Sequence, residues 1–137
     1  MTAAVFLISL LLAGIGGAIG AVLRFISVEF FKKYTVFPAG VLFVNVIGTA
    51  LLTIVTLLLT NSLAMLPEIF GNNAEGIAFF FNTGLLGAFT TFSAYLYDNF
   101  SLISEKKYSA AVLNILLNVC ICFAVVLAIL FAASCFS

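Results

Sequence analysis

Gly84-Leu85-Leu86-Gly87-Ala88-Phe89-Thr90-Thr91-Phe92-Ser93-Ala94-Tyr95 decides how this chain folds. The stretch lies within a run of 22 uncharged residues bounded by Glu75 and Asp98. At about 1.5 Å per residue, a helix of that length crosses the hydrocarbon core of a bilayer. Yet its centre is a poor helix. Two glycines, two adjacent threonines and a serine fall within ten positions. Gly costs about 1 kcal/mol against Ala in a helix interior, and Thr and Ser compete for backbone hydrogen bonds. One reading is a helix broken at mid-membrane, a common setting for an ion or substrate site. The other is an unbroken helix packed closely through small residues. The spacing alone leaves both open.

Outward from this stretch the chain remains apolar. Hydrophobic residues make up 65% and charged residues 7% of the 137, with a mean hydropathy of +1.35. A water-soluble domain carries about 25% charged residues. The chain therefore reads as a single all-α integral membrane domain over residues 1–137, with transmembrane helices expected near 3–30, 39–60, 76–97 and 108–133. The first apolar run, from about Ala3 to Leu23, has no positive charge before it and continues through small residues to Arg24. It is read as a retained helix and not as a cleaved signal peptide. Pro38, Pro67, Asn61-Ser62 and Gly71-Asn72-Asn73 fall in the connections, where breakers and turn residues belong. All four lysines lie in the first and third connections, and the second has Glu68 and Glu75 without Lys or Arg. That bias places connections one and three on the cytoplasmic side.

Several polar residues fall inside the spans. Helix 1 has Gly16 and Gly20 four apart, a packing face for a close helix neighbour. Arg24 closes it, placed to snorkel to the headgroups or to lend positive potential to a vestibule. On helix 2, Asn45, Thr49, Thr53 and Thr56 share a face. One such Thr is commonly satisfied by its own helix, but four together suggest a lining. Helix 3 places Phe92 and Tyr95 three apart. The positive edge of an aromatic ring is a weak, uncharged partner for an anion. Asn114 and Asn118 stand one turn apart on helix 4, as interhelical glue or as a polar track for a solute. Cys120, Cys122 and Cys135 are read as apolar packing.

Some chemistry is excluded. No carboxylate, Lys or His lies inside a span, so proton-coupled transport through an intramembrane acid is ruled out. No nucleophile–base pair, phosphate loop or metal-ligand spacing occurs, and an enzyme is not expected. Neutral amides and hydroxyls can replace the water around an anion without trapping it, as conduction requires.

Three motifs appear in order: Gly17-Ala18-Ile19-Gly20-Ala21-Val22-Leu23-Arg24-Phe25, then Asn45-Val46-Ile47-Gly48-Thr49, then Gly84 through Tyr95. Together they resemble the CrcB/Fluc family of small bacterial fluoride channels, over nearly the whole chain. The resemblance implies an antiparallel dual-topology dimer with two fluoride pores in the cell membrane, and helix 3 broken at mid-membrane. It implies a structural Na+ at the two-fold axis, held by backbone carbonyls that the motif places on Gly87 and Thr90. The fluoride pore would involve Asn45, Thr91, Phe92, Ser93, Tyr95, Asn114 and Asn118, with Arg24 near the vestibule and Asp98 at an acidic position after helix 3. The partners implied are fluoride, sodium, lipid and a second copy of the chain, and no nucleic acid.

Three departures stand out. Tyr95 replaces the second of two pore phenylalanines. Asn118 replaces a Ser or Thr, a larger group expected to be a stronger donor. The lysine asymmetry strains a dual-topology homodimer and admits a heterodimer with a homologous subunit. Two further functions compete with the channel. A small multidrug exporter needs a membrane-embedded Glu in helix 1, which is absent. A non-transporting scaffold would use the same polar residues only as glue.

Overall fold

The computed structural model describes residues 3–35, 37–62 and 74–135. Four helical stretches are long and apolar enough to cross a membrane. The first is α1 (Ala3–Lys32) and the second α2 (Ala39–Ser62). The third is composite. It runs through α3 (Ala74–Ala78), a π-helical segment (Phe79–Leu86), α4 (Gly87–Phe89) and α5 (Phe92–Ser104). The fourth is α6 (Tyr108–Cys135). The expected turn residues Pro67, Glu68 and Gly71-Asn72-Asn73 lie outside the described residues.

Helix α1 ends at Lys32, close to the expected 30 and about two turns beyond Arg24. Arg24 is therefore a half-buried residue within the helix. The third span is broken, and the break falls at the threonines, not at the glycines. Thr90 (φ −73°, ψ 157°) and Thr91 (φ −152°, ψ 125°) are extended between helical segments.

The glycines in this span serve packing. A Cβ on Gly16 or Gly20 would run into backbone of the π segment at Phe80 or Leu85, and one on Gly84 into the Ala13 carbonyl. These three let α1 lie directly on the first half of the third span. Gly14 and Gly17 face open space in the protomer. The wide π turns carry this half toward the break. At its end, the Gly87 N–H donates to both the Asn82 and Gly84 carbonyls.

Helix α6 packs against α2 and α5. Among the described residues, the buried side chains include Ser9, Thr91, Asn99, Asn114 and Asn118 alongside Val41, Val44, Leu86, Leu102 and Ala111. Large apolar residues, among them Leu11, Phe25, Phe100 and Phe131, point outward. This distribution suits a lipid surround, where the interior is the place for polar groups.

Lys32 and Lys107 line the same cavity of about 320 Å³, which places the first and third connections at one end of the molecule. Each lysine pairs with a nearby carboxylate, Lys32 with Glu29 at 2.6 Å and Lys107 with Glu105 at 2.7 Å.

Candidate functional site: an amide-lined groove at the helix break

The site is assembled by α2, the break and α6. Gly48 brings α2 close, because a Cβ there would collide with the Thr90 methyl and the Phe89 ring. One turn earlier on α2, the Asn45 side-chain oxygen accepts the Thr91 N–H at 2.9 Å. The break thus leaves no orphan donor at Thr91. The Thr91 hydroxyl oxygen caps α5 by accepting the Ala94 N–H at 3.2 Å. Ala94 would otherwise donate to Thr90, so the Thr90 carbonyl loses its helical partner.

Helices α5 and α6 form a hairpin about a tight turn. Lys106 adopts φ 60°. The Lys107 N–H donates to the Leu102 carbonyl (2.8 Å) and the Lys106 N–H to that of Ile103 (2.9 Å), a Schellman closure. Counted outward from this pivot, Asn99 and Asn114 stand at equal distances along the two arms, as do Tyr95 and Asn118, and Thr91 and Cys122. The Asn114 amide nitrogen donates to the Asn99 side-chain oxygen at 3.0 Å. The other two pairs line a groove of about 460 Å³ with Asn45, Thr49, Gly87, Thr90, Phe92 and Val119.

The amides form one continuous relay. Asn99 donates to the Tyr95 carbonyl (2.9 Å) and accepts from Asn114. The Asn118 nitrogen donates to both the backbone (3.1 Å) and side-chain (3.0 Å) oxygens of Asn114. Asn45 donates to the Asn118 oxygen at 3.0 Å and accepts from Thr91. An amide nitrogen has two hydrogens. Those of Asn118 both go to Asn114, so the expectation that Asn118 is a strong direct donor gives way to a supporting role. Asn45 has spent one, and it faces the groove.

The expected site residues divide accordingly. Asn45, Thr91, Phe92, Tyr95 and Asn118 share the groove with Gly87 and Thr90. The Phe92 ring is 71% exposed and lies 5.7 Å from that of Tyr95, centre to centre. Ser93 is exposed, its hydroxyl 3.3 Å from that of Thr91. Asn114 is fully buried behind Asn118 and does not line the groove. Arg24 lies on α1, away from it. The polar face of α2 splits. Thr49 lines the groove, Thr53 donates to its own helix at the Thr49 carbonyl (2.8 Å), and Thr56 accepts from Asn82 (3.3 Å). Three residues went unrecognised in the sequence: Asn99 and, as groove residues, Val119 and Cys122. For Asn99 and Cys122 the signal is the hairpin itself, since each stands level with a recognised residue on the other side of the Lys106–Lys107 pivot.

Four spans, a broken third helix and a groove lined by amides and hydroxyls, with no carboxylate, Lys, Arg or His among its lining residues, define a small multi-pass membrane protein. The chain belongs to the CrcB family: residues 11–130 match the family described as "CrcB-like protein, Camphor Resistance (CrcB)". It is 36% identical over 113 residues to the fluoride-specific ion channel FluC 1 of Methanosarcina barkeri, covering 82% of this chain and 86% of that one. It is 38% identical over 116 residues to the fluoride-specific ion channel FluC of Campylobacter jejuni, covering 83% and 88%. The Thermococcus kodakarensis FluC is 40% identical over 114 residues, covering 83% and 86%.

Proposed function

We propose that the chain is a passive fluoride-selective channel of the cell membrane, through which the ion leaves down its electrochemical gradient. The observation that carries this reading is the unspent N–H of Asn45, held at a groove whose other polar groups are all neutral. Moving a small ion into a low-dielectric medium costs on the order of 20 kcal/mol in the Born limit. Neutral donors offset that loss without the trapping that a fixed positive charge would cause. Asn45, Thr91 and Ser93 supply hydrogen-bond donors, and Phe92 and Tyr95 supply ring edges, with the Tyr95 hydroxyl as a further donor. Asn118 and Asn114 act behind them, and Arg24 contributes positive potential toward a vestibule.

The working unit in this reading is an antiparallel dual-topology homodimer. Gly87 is exposed in the protomer, and the Thr90 carbonyl has lost its helical donor. These two backbone oxygens fit a hard cation, and a two-fold axis beside them would bring the partner's pair to the same ion. A Na+ there would neutralise carbonyl dipoles crowded at the interface. The lysines at one end favour a second reading, in which this chain is one half of a heterodimer with a homologous subunit of opposite orientation.

Fluoride and chloride efflux from liposomes holding this chain alone tests the proposal. Rapid fluoride release with chloride retained is expected, and Asn45→Asp should abolish it because an ionised carboxylate repels the anion. Release of neither ion would overturn the homodimeric channel. Normal flux in Asn45→Asp would remove Asn45 from the pore.

A further inference from the structure

The relay begins and ends on backbone groups of the same helix, and this fixes more than its connectivity. An isolated asparagine can exchange its oxygen and nitrogen ends. Here the Tyr95 carbonyl can only accept, so Asn99 must turn its nitrogen toward it. The Asn99 oxygen then faces Asn114, which must offer its nitrogen. The Asn114 oxygen takes the Asn118 nitrogen, and the Asn118 oxygen takes that of Asn45. At the far end the Thr91 N–H can only donate, so Asn45 must turn its oxygen there. Both ends dictate the same sense for all four amides.

We propose that Asn99, outside the groove, is a positioning residue that sets the donor face of the pore: through Asn114 and Asn118 it holds the free N–H of Asn45 toward the passing anion. This rests on the channel reading above. Asn99 is buried and absent from the groove lining, so its effect must travel through the other amides. Without it the Asn114 nitrogen loses the acceptor that fixes its direction. The Asn114 amide is then free to swing, and Asn118 keeps only the Asn114 backbone carbonyl of its two acceptors. The oxygen that orients the Asn45 N–H is then held by one bond in place of two, and the donor loses its set direction toward the groove.

Asn99→Asp tests this, because the two protonation states of the new side chain differ in the feature that matters. A neutral acid can donate its O–H to the Tyr95 carbonyl while its other oxygen accepts from Asn114, as asparagine does. An ionised carboxylate directs an acceptor at the Tyr95 carbonyl and cannot. Fluoride efflux from Asn99→Asp liposomes should be roughly tenfold or more below wild type in alkaline buffer, the scale of one misplaced buried hydrogen bond. It should recover on mild acidification, with protein-free vesicles correcting for permeation of the neutral acid. Asn99→Leu, which neither donates nor accepts, should stay slow throughout. Wild-type rates in either variant at every pH, or a slow Asn99→Asp variant that never recovers, would overturn the proposal.

A second measurement does not depend on flux. In protein labelled with ¹⁵N at asparagine, the side-chain resonances of Asn45, assigned by their loss in Asn45→Ser, should shift as the carboxyl introduced by Asn99→Asp titrates, and stay put in Asn99→Leu. Static Asn45 resonances in Asn99→Asp would overturn the relay even where the channel conducts. Moving resonances in a protein that passes no fluoride would uphold the relay and overturn the channel reading instead.

Discussion

Before the break, the third span rests on α1 through side chains that are missing; after it, α5 rests on α6 and α2 through side chains that reach across. In the first half, Gly16, Gly20 and Gly84 allow backbone to lie against backbone. In the second, four asparagines bridge the helices in a defined order. Dispersion at close contact is short-ranged and tolerant of chemistry but not of volume. A hydrogen bond between amides tolerates small shifts but not a change of donor or acceptor. The break lies where one kind of fit gives way to the other. The amide relay thus lies in the half that can hold a polar group in a chosen orientation.

The two halves should respond to opposite insults. The largest effect is expected from Gly20→Val, whose side chain would drive into the Leu85 backbone and cost about 3 kcal/mol or more. Thermal melting in detergent should show it, and an unchanged melting temperature would mean that the glycine contact does not hold this half. Its counterpart is Gly17→Ala, which meets nothing in the protomer and should be neutral or slightly stabilising. A clear loss of stability there would locate a second copy on that face.

In the polar half, Asn114→Leu keeps the branching and heavy-atom count but strands the Asn99 oxygen and leaves the Asn118 nitrogen with one acceptor of two. Its cost should be about 2 kcal/mol, seen in the same melt. Asn114→Ala should do no better, since removing volume does not restore a partner. A neutral Asn114→Leu would show that the relay contributes no stability. Lys106→Gly should be milder and of opposite sign. Lys106 occupies the left-handed region at φ 60°, where glycine is relieved of roughly 1 kcal/mol. The hairpin should then melt higher with flux intact.

The smallest effect is expected at Glu105. A hydrogen bond from Lys107, and then the Lys107 charge, hold its carboxyl below the ordinary carboxylate range. A depressed value contributes stability above that range, and the contribution fades as pH falls through the folded value. The pair is exposed, so Glu105→Gln should leave the neutral-pH melting temperature within error. Any difference from wild type should vanish in acid.

Much of this was legible in the sequence because a bilayer leaves few options. Four long apolar runs can only be helices, and glycines and threonines crowded into the third marked its weak point. Asn45, Phe92, Tyr95 and Asn118 were recognisable because polar or aromatic groups in a span call for a reason. Asn99 was not, because it follows Asp98 and fell beyond the expected end of helix 3, where polar residues raise no question. The helix runs on to Ser104, and that extension converts an apparent loop residue into a buried one. The π turns were also hidden. No local propensity encodes them, and Phe79–Leu86 lies directly against α1.

The relay leaves α5 at the Thr91 N–H and returns to it at the Tyr95 carbonyl, one helical turn away. Mechanically it is a closed clasp through three helices. A clasp has no gradual way to loosen: α2 or α6 can draw back only by snapping a link, and each broken link strands a polar group away from water. The wall of the groove that it forms is therefore braced in one shape, with its neutral donors held in place and not carried along by moving helices.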